Sequence, residues 1–133
     1  MLELRGRVIM EGRARGVALV SPEPIGFLGG VDVETGIVIE AGHALQGQSV
    51  AGRVLVFPTG KGSTVGSYTL YRLARNGVAP AAIINARSEA IVAVGAIMGG
   101  IPMVDRIDIS QIASGDVVEV NDSHVWIGVP DSE

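Results

Sequence analysis

The sequence predicts a mixed α/β fold in which two helices cover one side of a set of β-strands. Val and Ile together make up 32 of the 133 residues, and 19 glycines divide the chain into short segments. Such β-branched enrichment with frequent glycine breaks is typical of strand-rich proteins. In the middle of the chain, apolar runs alternate with two segments of helical periodicity. We therefore expect one domain over residues 1–133 with a β/β/α arrangement of layers.

The first part of the chain predicts strands separated by turns. Residues 2–9 alternate apolar and polar side chains, which is the pattern of a half-buried strand, and residues 15–20 predict a second strand. Residues 37–39 form a short apolar run after a glycine-rich turn segment. Residues 50–57 predict a buried strand, which ends at Pro58.

Two segments in which apolar residues recur with helical spacing predict helices. The first is predicted from Ser63 or Thr64 to Asn76, with Gly77 at the position that commonly ends a helix. The second is predicted over residues 88–97, with a serine at its first position as the N-cap.

The remaining segments predict short strands. Residues 81–85 form a buried strand between the two helices, and residues 101–104 form another after the second helix. Residues 116–120 and 124–129 predict a closing hairpin, with the polar residues 121–123 as its turn.

Composition excludes several classes of function. The charged fraction is 18% and the formal net charge is −4, so the chain offers no basic surface for a nucleic acid. The longest apolar run is shorter than the roughly 18 residues that a membrane-spanning helix needs, and no signal-peptide pattern is visible. We therefore expect a cytoplasmic protein without a nucleic-acid or membrane partner.

Metal chemistry is expected to lie outside this chain. The sequence has no cysteine, which excludes a cysteine zinc site and an iron–sulfur cluster ligated by the chain itself. The two histidines, His43 and His124, have no second ligand at a suitable spacing. We interpret His43 as a structural residue and His124 as an edge or surface residue of the last strand.

Residues 59–67, Thr-Gly-Lys-Gly-Ser-Thr-Val-Gly-Ser, are the best candidate for a functional site. They join a buried strand to a helix, where backbone N–H groups bind anions and glycines admit a ligand close to the backbone. Lys61 could bind an anion and lower the pKa of the Ser63 hydroxyl. The spacing matches neither a P-loop nor a dinucleotide fingerprint. The alternative is that Ser63 only caps the helix and Lys61 is a solvated charge.

Four segments carry a family resemblance: residues 27–32 (Phe-Leu-Gly-Gly-Val-Asp), residues 54–68 with the loop, residues 76–85 and residues 100–105. Together they resemble the small, swivel-domain subunit of the aconitase X family. The likeness extends from about residue 12 to residue 129, and the glycine-serine loop is its most specific part. It implies a swivelling β/β/α domain and a separate large subunit whose cysteines hold a [4Fe-4S] cluster.

The resemblance also implies a reaction, which is loss of water from a hydroxy acid. Archaeal members convert (R)-5-phosphomevalonate to trans-anhydromevalonate 5-phosphate for isoprenoid synthesis, and other members dehydrate cis-3-hydroxy-L-proline. By position in the motif, Ser63 is the base that takes the proton α to the carboxylate, and Lys61, Gly62 and Thr64 contact the substrate. Aconitases proper have a carboxylate-binding arginine in this loop, where this chain has Thr64 and Val65.

Two other classes of function compete with the dehydratase. A phosphohistidine carrier would need a histidine next to the loop serine, where this chain has Thr64. A non-catalytic binding module would use Ser63 only as a helix cap. A subunit that completes an active site should instead expose an apolar docking face.

Overall fold

The secondary structure is given by a computed structural model that describes residues 1–130. The strands are β1 (Leu2–Arg5), β2 (Arg7–Met10), β3 (Arg13–Val20), β4 (Val54–Phe57), β5 (Ala82–Asn85), β6 (Met103–Asp105), β7 (Val117–Asn121) and β8 (His124–Ile127). The helices are α1 (Gly66–Arg75) and α2 (Ala90–Gly99), and a 3-10 turn spans Ile109–Gln111. Within residues 1–130, no helix is long and apolar enough to cross a membrane.

The strands follow the order β1-β8-β7-β3-β4-β5-β6-β2. Strand β3 links two sheets, because its first five residues pair antiparallel with β7 and its last three residues pair parallel with β4. Strands β3, β4, β5 and β6 are parallel, with α1 connecting β4 to β5 and α2 connecting β5 to β6, and β2 adds an antiparallel edge. The chain therefore builds one antiparallel and one mainly parallel sheet.

The core has two parts, one on each face of the parallel sheet. Alternate side chains of β4, β5 and β6 pack against α1 and α2, while the others pack against the antiparallel sheet. The helix-facing set is Leu55, Phe57, Ile83 and Met103, and the opposite set is Val54, Val56, Ala82, Ile84 and Val104. Both helices lie on the same side, so the predicted β/β/α arrangement is confirmed.

The N-terminal segment closes the sheet. The prediction of one strand over residues 2–9 is wrong, because Gly6 divides it into β1 and β2, which occupy opposite ends of the strand order. The Gly6 N–H donates to the Ser123 carbonyl at 2.9 Å, and a Cβ at Gly6 would lie 2.1 Å from the Asp105 carbonyl oxygen. The backbone can cross only without a side chain there. The eight strands thus form a nearly closed barrel that leaves few free edges.

Other differences from the prediction concern short segments. Residues 37–39 form no named strand, but take part in isolated bridges with Val31 and Ser49 in a loop. Strand β4 begins at Val54, because residues 51–53 turn. The 3-10 turn was not predicted, and Asp108 caps it by accepting from the Ser110 N–H.

The end of α1 follows its predicted glycine signal, whereas α2, predicted over residues 88–97, spans Ala90–Gly99. Gly77 and Gly100 each have a positive φ and follow α1 and α2. The Val78 N–H donates to the Leu73 carbonyl, and the Ile101 N–H donates to the Ala96 carbonyl. These six-to-one bonds satisfy carbonyls that the helices leave open.

A buried carboxylate ties the closing strand to the start of α2. Asp105, which is 1% exposed, accepts bonds from the Arg7 Nε at 3.0 Å and the Arg7 Nη2 at 2.8 Å. It also accepts from the Ser88 N–H at 3.1 Å and the Ser88 hydroxyl at 2.7 Å. Burial by itself raises the pKa of Asp105, but the bonds from Arg7 and Ser88 outweigh it and hold the pKa below its ordinary value.

We expect Asp105→Asn to lower the free energy of unfolding by about 1.5–3 kcal/mol at pH 7, because the bonds to a buried charge are lost. A carboxyl whose pKa is lowered on folding stabilises the protein fully above its unfolded pKa of about 3.9. The difference between wild type and variant should therefore shrink as the pH falls through the lowered pKa. Urea unfolding measured between pH 7 and pH 2 tests this.

Asp122→Asn is the control for that experiment. Asp122 is exposed, and its Oδ1 accepts from the Gly12 N–H at 2.9 Å. Asparagine keeps this acceptor and tolerates the φ of 54° found there. If the difference in free energy of unfolding between wild type and Asp105→Asn stayed constant down to pH 2, the charge of Asp105 would not be the cause of that difference.

Candidate functional site

The glycine-serine loop lies at the carboxyl edge of the parallel sheet. It follows β4 and runs beside Ile25, whose N–H donates to the Thr59 carbonyl at 3.3 Å and whose carbonyl accepts from the Lys61 N–H at 3.1 Å. Gly62 then turns the chain with a φ of 94°. Ligands of proteins with parallel strands commonly bind at this edge, where strands pass into loops. The position of the loop therefore agrees with a binding or catalytic site.

Ser63 lies in a turn and does not cap α1. Its Oγ accepts from the Val65 N–H at 3.1 Å, and its carbonyl accepts from the Gly66 N–H at 2.9 Å. This local bond competes with helix formation, so α1 begins at Gly66, later than predicted. The N-cap is Val65, which makes no side-chain capping bond. Ser63 is exposed, and since its oxygen accepts that bond, the hydroxyl proton can bond elsewhere.

Lys61 pairs with Glu40, whereas the partners expected from the sequence are an anion and the Ser63 hydroxyl. Its ammonium donates to the Glu40 carboxylate at 3.0 Å, and the two side chains are 46% and 34% exposed. An ion pair at this exposure contributes little to stability and can open when an anion binds. Sequence reasoning missed Glu40, because 21 residues separate it from Lys61 and no pattern connects them.

The start of α2 supports the other side of the loop. The N-cap is Glu89, whose carboxylate accepts from the Ile91 N–H at 2.9 Å and the Val92 N–H at 2.8 Å. The prediction that Ser88 caps this helix is wrong, because the bonds to Asp105 occupy Ser88. A Cβ at Gly60 would lie 2.2 Å from the Glu89 Oε1, so the glycine lets the loop reach the helix end.

A shallow groove lies beside the loop. It has a volume of about 310 Å³ and is lined by Thr64, Ser67, Ala90, Ile91 and Val94. The Ser67 hydroxyl donates to the Ile91 carbonyl at 2.7 Å and joins the two helices. Thr64 is exposed at one end of the groove. The four residues predicted as the site, Lys61, Gly62, Ser63 and Thr64, are thus consecutive and all exposed.

The residues of this chain do not fit an iron–sulfur cluster. The sequence contains no cysteine, and residues 1–130 hold no group of three or more His, Asp or Glu that could bind a metal ion. The buried His43 bonds to the Pro24 carbonyl and the Leu45 N–H. His124 stacks on Trp126 and bonds to Glu3 on the antiparallel sheet. His43 is therefore structural, as predicted, and His124 is a partly exposed residue of β8, which lies between β1 and β7 and is not an edge strand.

Comparison with known proteins decides the family. The sequence profile described as the aconitase X swivel domain matches residues 3–129. The chain belongs to the aconitase X swivel-domain family. This confirms the resemblance that the loop and the three other segments indicated.

Curated relatives of this swivel domain share one name. A phosphomevalonate dehydratase small subunit from Methanocella arvoryzae is 59% identical over 123 residues, which is 90% of this chain and 93% of that protein. One from Thermococcus sibiricus is 55% identical over 120 residues, covering 90% and 92%. The crystal structure of Thermococcus kodakaraensis aconitase X, in its holo-form, superposes with a TM-score of 0.94 at 52% identity, covering 96% of this chain and 98% of that one.

Measurements of unfolding stability test the assignment of Glu89 as the N-cap of α2 and of Ser63 as a turn residue of the swivel domain. We expect Glu89→Ala to lower the free energy of unfolding by about 0.5–2 kcal/mol, because it leaves two helix amides without an acceptor. Ser63→Ala should stay within about 0.5 kcal/mol of wild type, since it changes one exposed turn. Urea unfolding of the two variants measures both values. If Ser63→Ala cost as much as Glu89→Ala, Ser63 would have to be the cap of α1.

Proposed function

We propose that this chain is the small subunit of a hydro-lyase that removes water from (R)-5-phosphomevalonate to give trans-anhydromevalonate 5-phosphate. The observation that carries the proposal is the likeness to phosphomevalonate dehydratase small subunits over about nine-tenths of the chain. The reaction breaks the C–H bond α to the carboxylate and the C–O bond at the β-carbon. It leaves a C=C bond and a water molecule, and it serves isoprenoid synthesis.

Ser63 is the proposed base for the α-proton. Its exposed side chain at the tip of a turn can reach a substrate outside this chain's own core. A neutral hydroxyl is a weak base, so the reaction needs surroundings that favour the alkoxide. The Val65 N–H already points at the Ser63 Oγ, and a donor there becomes stronger when the oxygen is charged.

The start of α1 adds to this effect. The helix has ten residues and no acidic residue in its first turn, so nothing there opposes the positive end of its dipole. The Lys61 ammonium, two residues before Ser63, would be a second source of positive potential when its exposed ion pair with Glu40 opens. Both favour the alkoxide form of Ser63.

Three neighbours are the proposed substrate contacts. Lys61 would exchange its exposed pair with Glu40 for an anionic group of the substrate. The exposed Gly62 backbone and Thr64 hydroxyl provide further donors beside Ser63. Because Thr64 and Val65 stand where aconitases have an arginine, we assign carboxylate binding to backbone amides or to the large subunit.

The proposed enzyme needs a partner. We assign the [4Fe-4S] cluster to an aconitase X-type large subunit, since this chain has no cysteine. The active form is therefore a heteromer of large and small subunits. A phosphorylated substrate does not cross a membrane unaided, which supports a cytoplasmic enzyme.

Ser63→Ala tests the base. We expect turnover in the assembled enzyme to fall at least about 100-fold, the lower end of what a general base contributes, while complex formation stays unchanged. Ser114→Ala is the matched control, because Ser114 is an exposed serine whose Oγ also accepts one backbone N–H, that of Val20 at 2.9 Å. It should keep wild-type turnover. Comparable activity of both variants would remove Ser63 from the base role.

The substrate is tested by anaerobic co-expression with a cysteine-bearing aconitase X-type large subunit. Loss of water is then assayed with (R)-5-phosphomevalonate and, separately, with cis-3-hydroxy-L-proline. We expect turnover of the phosphorylated acid. Turnover of the proline derivative alone would move the chain to the alternative dehydratase, and association without turnover of either compound would leave the family assignment but contradict the proposed reaction.

A further inference from the structure

Helix α2 is apolar around its whole circumference. Its ten residues, Ala-Ile-Val-Ala-Val-Gly-Ala-Ile-Met-Gly, include no charged, hydroxyl or amide side chain. A surface helix of a soluble protein normally has a polar outer face, and a helix that is apolar all round is normally buried on every side. The sequence of α2 is therefore that of a covered helix.

In the isolated domain this helix is covered on one side only. Val92, Gly95 and Ala96 are buried where α2 packs against α1 and the parallel sheet. Val94, Ile97 and Met98 are 46%, 53% and 41% exposed. The spacing of three and four residues puts these three side chains on one outer face.

Helix α1 shows the usual pattern beside it. Arg72 and Arg75 are exposed in its last turn, and the Arg75 guanidinium bonds to the Tyr71 hydroxyl. Both helices are the same length and lie in the same layer, but only α2 lacks solvent-compatible groups. The apolar surface of α2 is therefore a local feature and not a general property of this layer.

The exposed face of α2 is continuous with the Ser63 loop. The groove beside that loop is lined by Thr64 and Ser67 on one side and by Ala90, Ile91 and Val94 on the other. Val65, the residue that donates its N–H to Ser63, is 53% exposed at the same end of α1. One apolar surface thus runs from the proposed base along α2.

We propose that this surface, made of Val65, the groove and the outer face of α2, is where the large subunit docks. The inference rests on the proposed function. The relatives are named small subunits, so a large partner is expected, and the surface begins at a loop whose metal chemistry this chain cannot supply. A second copy of this chain would cover the same loop without supplying cysteines.

The surface predicts the chemistry of its partner. The groove offers mainly apolar lining, so an aliphatic or aromatic side chain of the large subunit fits it. Burial of Val94, Ile97 and Met98 supplies the hydrophobic contribution to binding. Ser63 then lies at the edge of the interface, beside the docked surface.

Val94→Glu and Val17→Glu are a matched pair of test variants. Val94 is 46% exposed on α2, and Val17 is 42% exposed on β3, where its strand pairs with the antiparallel sheet. Titration calorimetry of each full-length variant with the purified large subunit, without substrate, gives the dissociation constant. We expect Val94→Glu to raise it at least about 30-fold, because docking would bury an unpaired charge. Val17→Glu should change it less than about 3-fold.

Further measurements separate docking from folding. The unfolding midpoint of free Val94→Glu should equal or exceed that of wild type, since glutamate replaces an exposed apolar group. Ile97→Glu, at 53% exposure, should weaken binding in the same way. Wild-type affinity of both variants, or weaker binding by Val17→Glu, would overturn the docking surface. So would a concentration-dependent dimer of the free chain that Val94→Glu abolishes, because a second copy would then be the occupant.

The same titration separates this inference from the proposed function. If wild type binds tightly, Val94→Glu does not, and the complex dehydrates neither compound, the docking surface stands and the reaction is wrong. If wild type does not bind the large subunit, both the partner and the docking surface are wrong.

Discussion

The Asp105 carboxylate is the interaction on which the rest of the structure depends. It receives four hydrogen bonds, two from Arg7 on the strand that closes the sheet and two from Ser88 before α2. A buried carboxylate is favourable only when its charge and its lone pairs are both satisfied. Closure of the sheet and the start of α2 are therefore linked, because both depend on hydrogen bonds to the Asp105 carboxylate. From there Glu89 caps the helix and meets the loop at Gly60.

This connection gives an exposed loop a defined position. The loop is bonded to Ile25 on one side and reaches the capped end of α2 on the other. Ser63 follows these supported residues in the chain and has one backbone donor on its oxygen. Catalytic groups must be held close to the productive geometry, and loops reach that precision only when rigid elements support them. The parallel sheet and α2 provide this support, while the part of the loop that is proposed to react stays exposed.

The sequence predicted the features that depend on local patterns. Apolar runs located β4 and β5, Gly77 marked the end of α1, and the loop motif indicated the family. The failures at Gly6 and Ser88 depend on residues that are distant in sequence. The break at Gly6 was missed because its alternating pattern continues, while the reason for it, the close approach of the Asp105 carbonyl, lies about a hundred residues away. Serine is a common N-cap and favoured Ser88, and only its bonds to Asp105 show why Glu89 caps the helix instead.

In the proposed docking arrangement, binding of the large subunit and the basicity of Ser63 are coupled. In the free domain water surrounds Ser63 and weakens every charge near it. A partner that covers the groove and α2 would remove part of that water. The Val65 N–H and the Lys61 ammonium would then act on the Ser63 oxygen through a medium of lower dielectric constant, where the same dipoles stabilise an alkoxide more strongly. The apolar face of α2 would thus contribute to the chemistry as well as to affinity, since the contact that buries it also makes an ordinary serine a useful base.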